Sequence, residues 1–167
     1  MELQVIDNCL SSGDYENIKN CMMATPENPS NYFPWFYSSI VVNNDDKDKG
    51  DAYFFHNIMD IMDQIPIRST YFEQFLPIIN LLDIKALVRI RAILYTQTSE
   101  HRLHGFHTDQ NTDQKDWESN VAIFYLNTNN GWTEFENGKK VKSVGNRLII
   151  FPNTLRHSSV TQTDESS

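Results

Sequence analysis

From Ala86 onward the chain reads as a series of short strands with turns between them, and that pattern limits its fold more than any other feature. In "ALVRIRAILYTQT", Val88, Ile90, Ala92 and Leu94 alternate with Arg89, Arg91, Ile93 and Tyr95. A period of two is the mark of a strand. "SNVAIFYLNT" (119–128) is an almost unbroken β-branched and aromatic run, which suits a pleated surface. "NNG" (129–131) marks a turn. "WTEFENGKKVKSV" centres on Asn137–Gly138, a dipeptide that supplies the backbone a tight hairpin needs. "NRLIIFP" (146–152) is a further strand, closed by proline, and "RHSSVTQT" is extended again. Short strands at close spacing predict a barrel or jelly roll.

The first half is expected to carry the helices. Phe72, Phe75, Leu76, Ile79 and Leu82 predict a helix over 71–82, with a break at Pro77. "AYFFHNIMDIMDQI" (52–65) is expected to pass from a strand into a short helix, with His56 in a structural or surface role. "NNDDKDKGD" (43–51) reads as a solvated loop. The fold class expected is α+β, mainly β, in a single domain over 1–167. Residues 1–85 would support a β core formed by 86–167.

Composition agrees with a globular chain. With 167 residues, 40% hydrophobic and 12% aromatic, it can build a core and lacks the make-up of a disordered segment. A net charge of −8 argues against nucleic acid or an anionic membrane as the main partner, since both reward basic patches. Cys9 and Cys21 are expected to be reduced, structural thiols. The start has no basic region before an apolar run, and no stretch approaches the roughly 20 apolar residues of a membrane span. A soluble cytoplasmic protein is expected.

The chemistry concentrates in "HRLHGFHTDQNTDQKDW" (101–117). His107 and Asp109 are two apart and share a strand face. His104 has the opposite parity and His101 sits at a loop tip, so neither is expected to be a ligand: His101 reads as exposed, and His104 as a surface or structural residue, with a place beside the ligands or the substrate as its alternative. One histidine remains downstream, His157. Two imidazoles and a carboxylate on one face leave three positions open on an octahedral ion, the facial triad of non-haem Fe(II) oxygenases. Zinc also accepts this set. The polar run "QNTDQKDWES" (110–119) reads equally as a lid packed by Trp117 or as a solvated loop.

Together with the flanking "FYLNTNNGWTEF" and "GNRLIIFP…RHS", these residues resemble the 2-oxoglutarate and Fe(II)-dependent dioxygenases of the prolyl-4-hydroxylase-like superfamily. The likeness covers about Leu87 to Ser167 and is greatest to a group found in marine viruses and bacteria. It implies a double-stranded β-helix with His107, Asp109 and His157 as Fe(II) ligands. It implies that Tyr95 hydrogen-bonds 2-oxoglutarate and that Tyr125 contacts the distal carboxylate. "NNGWTEF" is similar to the family's Gly-Gly-Thr-x-Phe turn, with Trp132 in place of the second glycine and Asn127 and Thr133 structural.

The family also places an arginine about ten residues after the distal histidine, followed by a last barrel strand. Here the sequence ends at Ser167, so either the chain is truncated or Arg91, Arg147 or Arg156 takes that part. The activity implied is hydroxylation of a peptidyl or small-molecule substrate with O2, releasing succinate and CO2. The alternatives are a non-catalytic jelly-roll module and a cupin-like metalloenzyme that uses no 2-oxoglutarate.

Overall fold

The alternating segments of the second half do become strands. The computed structural model describes residues 2–23, 32–39, 52–62, 65–109 and 119–164. Among these are ten strands: β1 (Gln4–Ile6), β2 (Phe36–Ser38), β3 (Tyr53–Asp60), β4 (Ile67–Arg68), β5 (Arg89–Leu94), β6 (Asn120–Tyr125), β7 (Trp132–Phe135), β8 (Lys140–Lys142), β9 (Arg147–Pro152) and β10 (His157–Val160). Two α-helices accompany them, α1 (Ser12–Met22) and α2 (Leu76–Leu81). The protein is mainly β. No described helix is long and apolar enough to cross a membrane.

The chain divides into two compact units. The first comprises 1–9, 39–51 and 95–167, and the second comprises 10–38 and 52–94. The division after Leu94 falls later than the 85/86 boundary expected from the sequence. Residues 1–9 join the unit built from the chain's second half.

In the first unit two antiparallel sheets, β1-β9-β6 and β10-β7-β8, share one core. Phe135 and Val141 come from one sheet and Ile149 and Phe151 from the other, with Val121, Ile123 and Tyr125 packed against them. The Phe135 and Phe151 rings meet edge to face at 5.0 Å. Both are fully buried, which contributes about 1.5–3 kcal/mol each. The expected hairpin joins β7 to β8. The Gly138 amide donates to the Phe135 carbonyl at 2.8 Å, and the Phe135 amide to the Lys139 carbonyl at 2.9 Å. Gly138 takes φ +84°, the left-handed backbone that glycine adopts without cost. At Gly131 the requirement is space, because a Cβ there would lie 2.7 Å from the Val160 carbonyl oxygen. β1 pairs with β9, Gln4 opposite Ile150, and Arg147 grips the Asp7 carboxylate with bonds of 2.6 and 3.0 Å.

In the second unit β3 pairs with β2, β4 and β5. The expected helix does not form within the described part of 52–65. β3 pairs with β5 from Phe54 to Asp60, and alternate residues His56, Ile58 and Asp60 are buried. The cross-strand period therefore wins over the helical stripe, whose members Met62 and Ile65 are exposed. Asp60 closes the strand, accepting from the Met62 amide at 2.9 Å and from Arg89 at 2.8 Å. The helix over 71–82 is split into a 3-10 turn, Phe72–Phe75, and α2. Pro77 lies in the first turn of α2, where its missing N–H has no partner to lose. His56 is structural: one ring nitrogen bonds the Pro34 carbonyl at 2.8 Å and the other Ser69 Oγ at 2.9 Å. Neither Cys9 nor Cys21 is in a disulfide. The expected loop at 43–51 and residues 110–118 of the expected lid lie outside the described residues.

Candidate metal centre

His107 and His157 face each other across an antiparallel bridge. Each donates its amide to the other's carbonyl at 3.0 Å, and their rings are 4.7 Å apart. Asp109 lies two residues past His107, and its Oδ1 is 3.6 Å from His107 Nε2 and 3.8 Å from His157 Nε2. The three donor atoms lie within 4.8 Å of one another. The structure thus brings together His107, Asp109 and His157.

The surroundings suit a divalent cation. The Gly105 carbonyl lies 3.0 Å from His107 Nδ1. That carbonyl can only accept, so the Nδ1 carries the proton and Nε2 keeps its lone pair for a metal. His157 is 5% exposed and is walled by Phe151 and Phe135, with ring centroids at 4.9 and 6.4 Å. Burial lowers its pKa from 6.5, Asp109 opposes this and His107 adds to it, so the neutral ring that binds metals is favoured. Its Nδ1 is buried without a hydrogen-bond partner among the described residues. Ligand atoms about 2.0–2.2 Å from one ion stand about 3 Å apart at right angles. Closing onto an ion therefore needs the three donor atoms, within 4.8 Å of one another here, to draw together.

The other two histidines differ: His101 has the exposure expected of it, and His104 takes a structural place. His101 is exposed; its Nδ1 bonds the Thr161 carbonyl at 2.8 Å and its ring meets Trp132. His104 is 2% exposed, and parity misplaces it. Leu103 bridges Val160 and His107 bridges His157. Four steps on one side match three on the other, so one extra residue is absorbed as a bulge. The His104 amide donates to the Ser159 carbonyl at 3.1 Å, and its Nδ1 bonds Ser159 Oγ at 2.6 Å. Ser159 and His157 share a face, so His104 and His107 do too, despite their odd spacing.

Tyr95 and Tyr125 lie near the same layer. The Tyr95 ring packs on His104 at 4.9 Å. The Tyr125 hydroxyl donates to Thr133 Oγ1 at 2.7 Å, and Thr133 pairs with Ser159. Burial pushes the Tyr125 pKa up to about 12, so it stays a donor.

The three arginines proposed from the sequence all have partners. Arg147 binds Asp7. Arg156 binds Glu136 at 2.7 Å and the Phe106 carbonyl at 2.6 Å. Arg91 belongs to the second unit, where it donates to Asn57 Oδ1 at 2.9 Å and lies over the Phe55 ring. The face that His104 shares with His107 and the Arg156 contacts were missed by sequence reasoning; no spacing rule reveals a bulge or an arginine's partner.

No family model matches the chain, and no curated protein matches it either.

Proposed function

We propose that this protein is a non-haem Fe(II) and 2-oxoglutarate-dependent oxygenase built on a double-stranded β-helix, hydroxylating a peptidyl or small-molecule substrate. The observation that carries the reading is the convergence of His107, Asp109 and His157 on one face. Two imidazoles and one carboxylate suit Fe(II) and leave positions open for a chelating cosubstrate and O2. The bound iron would supply the redox chemistry, with 2-oxoglutarate as the source of two electrons and succinate and CO2 as its products.

The chain's own residues would do the rest. Phe135 and Phe151 shield one side of the centre from water. The Gly105 carbonyl holds the His107 ring in the ligating tautomer. Tyr95 and Tyr125 are the proposed cosubstrate contacts in this unit; the one hydroxyl proton of Tyr125 is held by Thr133, so donating to a carboxylate oxygen would require that bond to be exchanged. Arg91 remains a proposal as a substitute for the family's arginine, a position it does not itself match.

One observation favours a second reading, a metal-binding module without 2-oxoglutarate: Arg147 and Arg156 are both committed to carboxylates of the chain itself. An anaerobic titration with Fe(II) and 2-oxoglutarate separates the two. A weak visible charge-transfer band from the chelate is expected. Iron binding with no band at millimolar 2-oxoglutarate would leave the second reading in place of the first.

A further inference from the structure

Three residues that adjoin the candidate centre in the chain are joined by one side chain. Phe106 precedes His107, Arg156 precedes His157, and Glu136 follows Phe135, the residue paired with His157. One amino group of the Arg156 guanidinium donates to the Phe106 carbonyl at 2.6 Å. The other donates to the Glu136 carboxylate at 2.7 Å. The Glu136 amide returns a bond to the Arg156 carbonyl at 3.0 Å.

The segment carrying His107 has reason to need a tie. It meets β10 through two separate bridges with a register shift between them, not through a continuous ladder. A bulge gives the backbone slack, and slack before His107 becomes uncertainty in the spacing of the two rings. A guanidinium is a planar fork of donors that holds two oxygens in fixed directions at once. The ammonium of lysine is a point charge without that geometry.

We infer that Arg156 is a positioning residue for the metal centre: it clips Phe106 to the turn after β7 and so sets His107 against His157 before an ion arrives. Its value to an ion rests on the proposed centre, whereas the clip itself needs no metal. The guanidinium and the Glu136 carboxylate are about half exposed, and exposed ion pairs contribute little to global stability. The effect of losing Arg156 is therefore local.

The test uses the full chain with Arg156→Ala and Arg156→Lys. In metal-free protein, hydrogen exchange is followed at the His107 and His157 amides, with Leu148 and Ile149 of β9 as internal references. Co(II) alone is then titrated and read by its visible absorption. Arg156→Ala should speed exchange at His107 and His157 by about 10-fold or more and weaken Co(II) binding by about 10-fold, as loss of a group that orients a ligand does. The reference amides should stay at wild-type rates, and the lysine variant should recover part of both effects. Unchanged exchange at His107, or Co(II) affinity within about twofold of wild type, overturns the inference. Equal acceleration at Leu148 and Ile149 overturns it too, since Arg156 would then be a general stabiliser. If the wild type binds no Co(II), the metal-centre reading fails, and the exchange measurement decides the clip by itself.

Discussion

Replacing Asp109 by alanine is the cleanest single test of the metal centre, because it removes a donor without disturbing the core. The side chain is 42% exposed, so the metal-free variant should melt close to wild type; surface changes are usually within about 0.5 kcal/mol. His157→Ala lacks this property, since it would empty a site between Phe135 and Phe151. With free ion at 100 times the dissociation constant, binding to the native state alone adds about 2.7 kcal/mol. For a chain of this length that raises the melting temperature by about 5–11 °C. Removal of a direct ligand is taken to weaken binding about 100-fold, the upper end for groups that only orient ligands. At the same ion concentration the variant is then half-saturated and gains about 0.4 kcal/mol, or about 1–2 °C. Scanning calorimetry with Co(II), or anaerobically with Fe(II), measures both shifts. An Asp109→Ala variant that keeps the whole metal-induced shift would refute the assignment of the carboxylate as a ligand.

Three further outcomes follow from the structure. Because burial lowers the His157 pKa below its ordinary 6.5, the unfolded chain takes up a proton before the native one does. Stability should be full above about 6.5 and decline as pH falls from there through the folded pKa; a metal-free urea midpoint that does not move across this window would contradict it. Gly131→Ala should cost about 1–3 kcal/mol by overpacking, since its Cβ would stand 2.7 Å from the Val160 carbonyl oxygen; wild-type stability in urea would show that the backbone yields there. Tyr125→Phe should cost about 1 kcal/mol for its lost bond to Thr133 at an unchanged urea slope. A double-mutant cycle with Thr133→Val that shows no coupling would remove that bond from the account.

The strands were legible where local and long-range demands coincide. Alternation in β5, the β-branched run of β6 and Asn137–Gly138 each mean the same thing before and after folding. The stretch 52–65 misled because its helical stripe is local, whereas the pairing of β3 with β5 joins residues 29 to 40 positions apart. Helix α1 had a signal that went unread: Ser11 caps it, accepting from the Asp14 amide at 3.2 Å, a common start for a helix. His107, Asp109 and His157 could be picked out by parity and by the single histidine downstream. His104 could not, because parity counted along one strand ignores an extra residue absorbed against its partner. The arginines were visible as candidates, but their partners come from strands far apart in the chain.

The pairing of β1 with β9 has a consequence in time. Gln4 leaves the ribosome before its partner Ile150, which follows about 7–30 s later at about 5–20 residues per second. Throughout that interval Val5 and Ile6, with the edge they form, have no β9 to receive them. The second unit, whose last strand ends at Leu94, has its strands in hand much sooner. Of the described strands, β1 is made before the other nine and is among the last to be seated, and a chaperone or a stalled chain would find it open.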